Sequence, residues 1–320
     1  MLTYVLRRLS LFVPSLLGAS LLIFVLMRVV PGDIAEILVF QAGTEASEVQ
    51  RKQVQQLRAE LGLHRPILMQ YVDWLGGAVR GDLGYSYTQR RPVFDILAER
   101  VPRSLELAVL TLLVAVVWAV PSGVVAATHQ NRWADVVARL VSVCGLALPI
   151  FLSGVLMLFL LVGLFGWSPP IEFVSFSTSP TENLKQFVWP VLAQAFYIGA
   201  PISRLTRSQV LGVLGEDFVR TARAKGLGEL IVVYRHAFAN AILPVITFIG
   251  WWGGRLLGGL VIVETIFSVP GLGSTLMQAV QYRDYPLLQG VVAFMALAFL
   301  AITLTVDVLY ARLDPRVRYT

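Results

Sequence analysis

The chain has 320 residues, of which 56% are hydrophobic and only 14% charged, and its mean hydropathy is +0.71. Soluble domains carry about 25% charged residues, so an ordinary water-covered surface is excluded and a polytopic membrane protein is indicated. The net charge of +6 would favour nucleic-acid binding in a soluble protein, but on an apolar chain its distribution is a topology signal and no nucleic-acid partner is expected.

Arg7 and Arg8 precede the apolar run Leu9–Val30. That run is too long for a signal-peptide core of roughly 7–15 residues, and no small-residue cleavage site follows it, so it is expected to remain as a first span. Segment 31–103 comes next, with nine basic and nine acidic residues. Its stretch SEVQRKQVQQLRAELGL predicts a helix: Ser47 is the cap, Val49, Val54, Leu57 and Leu61 lie near one face, and Gly62 ends it. A small ordered cap outside the membrane is expected.

Five more apolar runs follow: Leu105–Ala127, Val136–Phe165, Val188–Leu205, Ile242–Val263 and Leu287–Tyr310. Each approaches the roughly 20 residues needed to cross a bilayer. The fold class expected is therefore an all-α membrane protein of about six transmembrane helices, one domain over 1–320 with an extracytoplasmic segment after the first helix. Val188–Leu205 carries Pro190, Gly199 and Pro201, breaks that the interior of a helix bundle tolerates. Cys144, the single cysteine, excludes an intrachain disulfide and is expected as a small core residue.

With the N-terminus inside, the inner segments collect Arg7, Arg8, Arg132, Arg139, Arg204, Arg207, Arg220, Arg223, Lys225, Arg235, Arg312, Arg316 and Arg318. The last two outer loops hold only Lys185 and Arg283. Lys and Arg in short loops set orientation, whereas long segments such as 31–103 translocate largely regardless of charge. Both termini are expected in the cytoplasm.

The longest cytoplasmic loop is then 206–241, around RTARAKGLGELIVVYRHAFANAILP. Gly215 precedes Glu216 and Asp217, which favour a helix start, and Gly226 and Gly228 supply stops. The helix between them, DFVRTARAKG, sets Leu214, Phe218 and Ala222 on one side with Arg220 and Arg223 elsewhere. So short a helix is marginal alone, and Ala222, Ala224 and Gly226 would let its backbone approach another surface. Docking on a partner and a solvated basic loop over anionic lipid are both open on these residues.

This segment resembles the EAA loop of ABC-importer permeases, most closely the dipeptide, oligopeptide and nickel permease family. The resemblance rests on VRTARAKGL, on the pairs His236-Ala237 and Asn240-Ala241, and on Leu243-Pro244. It extends over the chain through PGD (Pro31–Asp33), QYVDWL (Gln70–Leu75), GDLGYS (Gly81–Ser86), ALPIF (Ala147–Phe151), VETIFSVPGLG (Val263–Gly273), RDYP (Arg283–Pro286) and DPRVRY (Asp314–Tyr319). The general pattern has Glu-Ala-Ala where this chain has Arg220-Thr221-Ala222, as in the peptide-type version. The resemblance implies a type I importer permease fold in the prokaryotic cytoplasmic (inner) membrane. It also implies a homologous permease, two cytoplasmic ATPase subunits and an extracytoplasmic solute-binding protein as partners, besides membrane lipid. Asp217, Arg220, Thr221, Ala222, Arg223, Ala224, Lys225, Gly226 and Leu227 would form a coupling helix seated in a groove of an ATPase subunit. Solutes carried by such relatives include dipeptides, oligopeptides, nickel chelates, glutathione and oligosaccharides.

No cofactor is expected in this chain, and ATP and Mg belong to the partner ATPases. The only lysines, Lys52, Lys185 and Lys225, are not in a Gly-Lys-Ser/Thr setting. His64, His129 and His236 fall in different predicted loops without metal-ligand spacing, so neither a metal site nor a catalytic constellation is expected and the chain reads as no enzyme. The rival is an ion-coupled secondary transporter, for which Glu106 and Asp307 are thin support. A membrane enzyme is a second rival.

Within the fifth run, GWWGGRLLGG surrounds Arg255 with glycines that suit close helix approach. A buried Arg should face protein or a water-filled path. Trp251, Trp252 and Arg255 are thus candidates for the translocation path, while a structural pair, Arg255 with Glu106, is the favoured reading. Near the outer ends, Arg28 is expected to snorkel and Glu264 to reach water.

Overall fold

The computed structural model describes residues 2–29, 39, 47–60 and 64–313. In chain order the described elements are α1 (Leu2–Val29), α2 (Glu48–Glu60), α3 (Ile67–Val79), the strand pair β1 (Tyr85–Ser86) and β2 (Arg91–Pro92), and α4 (Val93–Thr128). There follow α5 (Trp133–Ala147), α6 (Ile150–Phe165), α7 (Pro180–Leu214) and α8 (Asp217–Ala224). Last come α9 (Glu229–Ile266), α10 (Leu272–Gln281) and α11 (Tyr285–Leu313).

Among the described residues three helices are long and apolar enough to cross a membrane: α4, α9 and Tyr285–Val306 of α11. The expected single span Val136–Phe165 is instead two helices, α5 and α6, bent by 104° at a short break. Leu148 is extended there (φ −87°, ψ 120°) ahead of Pro149, because a residue before proline is pushed out of the helical region. The expected span Val188–Leu205 lies inside α7, which runs unbroken through Pro190 and Pro201. At 35 residues α7 is roughly 50 Å long, well beyond the ~30 Å hydrocarbon core. It is not among the helices that are apolar enough alone, and Ser10–Leu26 of α1 is a shorter apolar helix.

The chain divides into two units, Leu2–Pro102 with Gly271–Leu300, and Arg103–Pro270 with Ala301–Thr320. In the first unit α1 and α3 meet through Phe24, whose ring lies 5.4 Å from Tyr71 and 6.2 Å from Trp74, while Tyr71 Oη and Ser20 Oγ are 2.8 Å apart. Those aromatics are the Tyr and Trp of QYVDWL. GDLGYS and RDYP also meet in this unit: Ser86 Oγ donates to the buried Asp284 carboxylate at 2.6 Å, and the Thr88 amide donates to it at 3.1 Å. The turn leading into β1 uses Gly81 and Gly84 at positive φ, 86° and 89°, where only glycine is unstrained. An apolar cluster of Val93, Ile96, Leu97, Leu272, Leu287 and Val291 lies beneath. In α2 the cap is as expected: Ser47 Oγ accepts from the Gln50 amide, and Gln50 Oε1 accepts from the Ser47 amide. Val54 is buried but Val49 is exposed, and Leu61 and the side chain of Leu57 lie outside the described residues. Gly62, PGD and DPRVRY lie outside the described residues.

The second unit is built on α7, which packs against α5, α6 and α9. α4 and α7 run parallel, since Glu106 faces Asn183, Trp118 Nε1 donates to the Ala195 carbonyl at 3.2 Å, and Ser122 meets Ser203. α9 runs antiparallel to α7, with Gly259 against Gln194 and Ala241 in one cluster with Val210. Gly199 is the closest approach: a Cβ there would run into the Trp118 ring. Gly123 and Gly145 likewise admit Thr206 and Ala200 of α7. Cys144 is exposed on α5, not the core residue expected, because α5 turns Ser142 and Gly145 inward instead.

Candidate functional site: the coupling segment

One end of the second unit gathers the segment that the sequence singles out. The last turns of α4 and α7 and the first of α9 share a buried cluster of Val124, Ala127, Val210, Val233 and Ala241. From that platform α8 projects between α7 and α9. Its start follows Glu216, whose backbone is extended (ψ 151°) and whose side chain makes no capping hydrogen bond. Its end is fixed by Gly226 at φ 79°, the left-handed residue that closes many helices. The helix spans eight residues rather than the expected ten.

The inward face of α8 keeps Leu214 and Ala222 of the side that the spacing picked out but not Phe218. Val219 (0% exposed) and Ala222 (6%) are buried against Val213, Leu214 and Val232, whereas Phe218 is 44% exposed. The platform is the chain's own α7 end and α9 start, so the spacing that buries is Val219–Ala222, three apart, and Phe218 turns outward. Burying Val219 is worth about 1.5–3 kcal/mol, which offsets the marginal stability of a helix this short. Ala222 thus serves an internal contact, and the outward surface consists of Asp217, Phe218, Arg220, Thr221, Arg223, Ala224, Lys225, Gly226 and Leu227.

Two ion pairs hold that surface. Arg220 Nη1 lies 3.3 Å from Asp217 Oδ1, one turn back, in a fully solvated pair of little energetic weight. Arg223 donates from Nη2 and Nε to Glu229 at 2.7 and 3.2 Å, a two-pronged bond that ties α8 to the first residue of α9 across Gly226–Gly228. The Glu229 hydrogen bond raises the Arg223 pKa above its ordinary value.

The start of α9 shows a feature that hydropathy does not report. Residues Val232–Phe238 form a π-helical stretch, a wider winding often found at functional sites. Asn240 Nδ2 donates to the His236 carbonyl at 2.7 Å, satisfying an acceptor in the widened stretch, and Ala237 and Ala241 are both buried, Ala241 within the platform cluster. The paired His-Ala and Asn-Ala therefore have local roles: a side-chain donor for irregular backbone and two small residues for close packing.

A buried ion pair joins the same end of the unit and was missed by sequence reasoning. Asp135, wholly buried in the first turn of α5, accepts from Arg207 Nε at 2.6 Å and Nη2 at 2.8 Å, and from the Asn131 amide at 2.9 Å. Arg139 Nε is 3.4 Å away. The only signal in the sequence was an Asp one residue before a predicted span.

The proposed path residues lie elsewhere on α9. Arg255 places its guanidinium 4.8 Å from the Trp251 ring centroid, a cation–π contact. The rings of Trp251 and Trp252 are 5.5 Å apart, and Tyr197 meets Trp252 at 5.8 Å. The pair with Glu106 is not formed: Glu106 faces Asn183 Nδ2 at 3.5 Å, and Arg255 makes no ion pair among the described residues. Glu106 lies in the first half of α4, level with Asn183 of α7, while the Arg255 guanidinium is stacked on Trp251 of its own helix. Glu264 is also not at water. It is 0% exposed and accepts from Ser104 Oγ at 2.6 Å. The side chains of Arg28 and Asp307 lie outside the described residues. Among the described residues no group of His, Cys, Asp and Glu has the makings of a metal site.

Residues 119–319 match the family model described as binding-protein-dependent transport system inner membrane component, and residues 1–108 match the model for the N-terminal part of such membrane components. The chain belongs to this family of ABC-importer permeases. The glutathione transport system permease protein GsiC of Escherichia coli (strain K12) is 37% identical over 319 residues, covering 100% of both chains. The protein of that name from Shigella flexneri serotype 5b (strain 8401) is similar to the same extent, 37% over 319 residues and 100% of both chains. As a permease of this family the chain is a membrane protein of an ATP-driven importer, and the family implies a partner permease, ATPase subunits and a solute-binding protein. The expectation drawn from RTARAKGL and the motifs around it is met at the level of family, and a secondary transporter is not favoured.

Proposed function

We propose that this permease forms, with a homologous permease, the inward path for a short peptide, and that α8 couples the path to ATP hydrolysis in two cytoplasmic ATPases. The observation that carries the coupling role is the division of α8 into two faces. Val219 and Ala222 anchor it to the ends of α7 and α9, while a face of charged, small and apolar residues is free. A helix held this way moves with α7 and α9, so force applied to its free face reaches the spans without bending a loop.

The cytoplasm is the side assigned to α8, on the balance of basic residues in the short loops. Trp251, Trp252 and Arg255 are assigned to the path, and the absence of a carboxylate on Arg255 among the described residues favours contact with an anionic group of the solute. A full-length relationship to glutathione permeases makes an anionic short peptide the first solute to test. The test is uptake of labelled glutathione, a neutral dipeptide and a dipeptide amide into proteoliposomes carrying the complete importer with ATP inside. ATP-dependent accumulation of one of them supports the reading. Accumulation driven by an ion gradient without the ATPases contradicts it.

A further inference from the structure

A cavity of about 250 Å³ opens between α4, α5 and α7, close to the end that carries α8, and its lining includes Arg139, Arg204, Arg207, Ser142 and Ser203. Of the three guanidiniums there, those of Arg207 and Arg139 face one carboxylate, Asp135, which already accepts three hydrogen bonds: Arg207 holds both its oxygens and the Asn131 amide adds a third. Arg204 has no hydrogen bond or ion pair among the described residues and is exposed. The cavity therefore carries an excess of positive charge with donors to spare.

The surroundings define what anion fits. Beside Arg139, α5 exposes Val136, Leu140 and Val143 along one face, with Trp133 78% exposed a turn earlier. A charged pocket bordered by an apolar helix face and an exposed Trp is the arrangement of a membrane–water boundary. A soluble anion would use the arginines but leave that face uncovered, whereas a phospholipid satisfies both. Basic pockets between spans on the cytoplasmic side bind anionic lipid head groups.

We infer that Arg139, Arg204 and Arg207 form a site for the phosphate of an anionic phospholipid whose acyl chains lie along Val136, Leu140 and Val143. Its head group adds a negative charge beside the Asp135–Arg207 junction, so the lipid braces the α5–α7 contact. The site rests on membership of a membrane family, on the cavity itself and on the cytoplasmic side proposed for this end of the unit, not on the coupling role of α8.

The test uses the full-length chain purified in detergent, with lipid retention read by native mass spectrometry. Phosphatidylglycerol is expected to be retained over phosphatidylcholine. Arg204→Gln is expected to weaken that retention about fivefold, the worth of one basic residue at an anionic surface, with Arg204→Lys near the parent and Arg220→Gln unchanged. Arg139→Gln, whose bond to Asp135 is the longest, supplies a second variant should Arg204→Gln fold poorly. Equal retention of the two lipids, or parental retention by both glutamine variants, overturns the site. Displacement of phosphatidylglycerol by millimolar inorganic phosphate would show that the site takes free phosphate and would overturn the lipid assignment. No ATPase or transport enters the readout, so its failure leaves the importer reading intact.

Discussion

Asp135 and Arg207 form a two-pronged ion pair, with Nε to Oδ1 at 2.6 Å and Nη2 to Oδ2 at 2.8 Å. The carboxylate is fully buried while the arginine keeps 21% of its side chain exposed. The pair fixes the first turn of α5 to the end of α7, three residues before Val210 of the platform under α8. Any displacement of that platform is therefore felt by the bent α5–α6 pair.

The two partners should not be equivalent. Arg207→Gln leaves a buried carboxylate whose remaining cation is Arg139 at 3.4 Å, and stranding a buried charge costs about 3–5 kcal/mol. Asp135→Asn leaves an arginine that can turn to water. Thermal unfolding in detergent should show the larger loss of Tm for Arg207→Gln, and a smaller loss for Asp135→Asn. Equal or reversed losses would mean that the pair is not the element holding α5.

Bulk on the free face of α8 should uncouple transport without unfolding the chain. Gly226 is an imperfect probe because φ 79° strains any side chain there, by roughly 1–2 kcal/mol. Ala224 is exposed and helical, so Ala224→Trp adds volume without backbone strain. Pull-down of the ATPase should fall at least tenfold for both Ala224→Trp and Gly226→Trp, with only the latter less stable. An intact complex with normal uptake in Ala224→Trp counts against the coupling role.

Orientation follows from labelling. With Cys144 replaced, a cysteine at Gln89 should react with an impermeant thiol reagent from outside, and one at Glu229 only after the membrane is opened. Replacing Cys144 matters more than the sequence suggested, because its side chain is exposed. The reverse pattern would invert the topology.

Arg255→Gln should leave stability nearly unchanged, since a stacked, exposed guanidinium contributes about 0.5–1 kcal/mol. Uptake of anionic solutes should fall about tenfold more than uptake of their amides. Parallel loss for both, tracking a lowered Tm on the same preparation, would make Arg255 structural after all.

What the sequence disclosed and what it concealed have physical causes. Hydropathy found α4, α9 and α11 because long apolar runs need no partner to be recognised. It joined α5 and α6 because composition does not change at Leu148-Pro149, although the proline itself was the available signal. The polar coupling segment was legible, and of the side that four-residue spacing picked out Leu214 and Ala222 do pack inward, but Phe218 turns out and Val219 takes its place. Asp135–Arg207 and Ser104–Glu264 were hidden for a common reason. Their partners are 72 and 160 residues apart, and only the packing of the helices brings them together. Arg255 was paired with Glu106 on predicted depth alone, and depth does not fix azimuth.

The most direct measurement places a photo-reactive amino acid at Phe218, the exposed apolar residue in the middle of the free face, and illuminates native membranes. The captured chain is then identified by mass spectrometry. Attachment to a subunit that carries a Gly-Lys-Ser/Thr phosphate loop, abolished by Ala224→Trp, is the result predicted. A normally inserted permease that yields adducts only to lipid, or to no ATPase, would contradict the coupling of α8 to ATP hydrolysis.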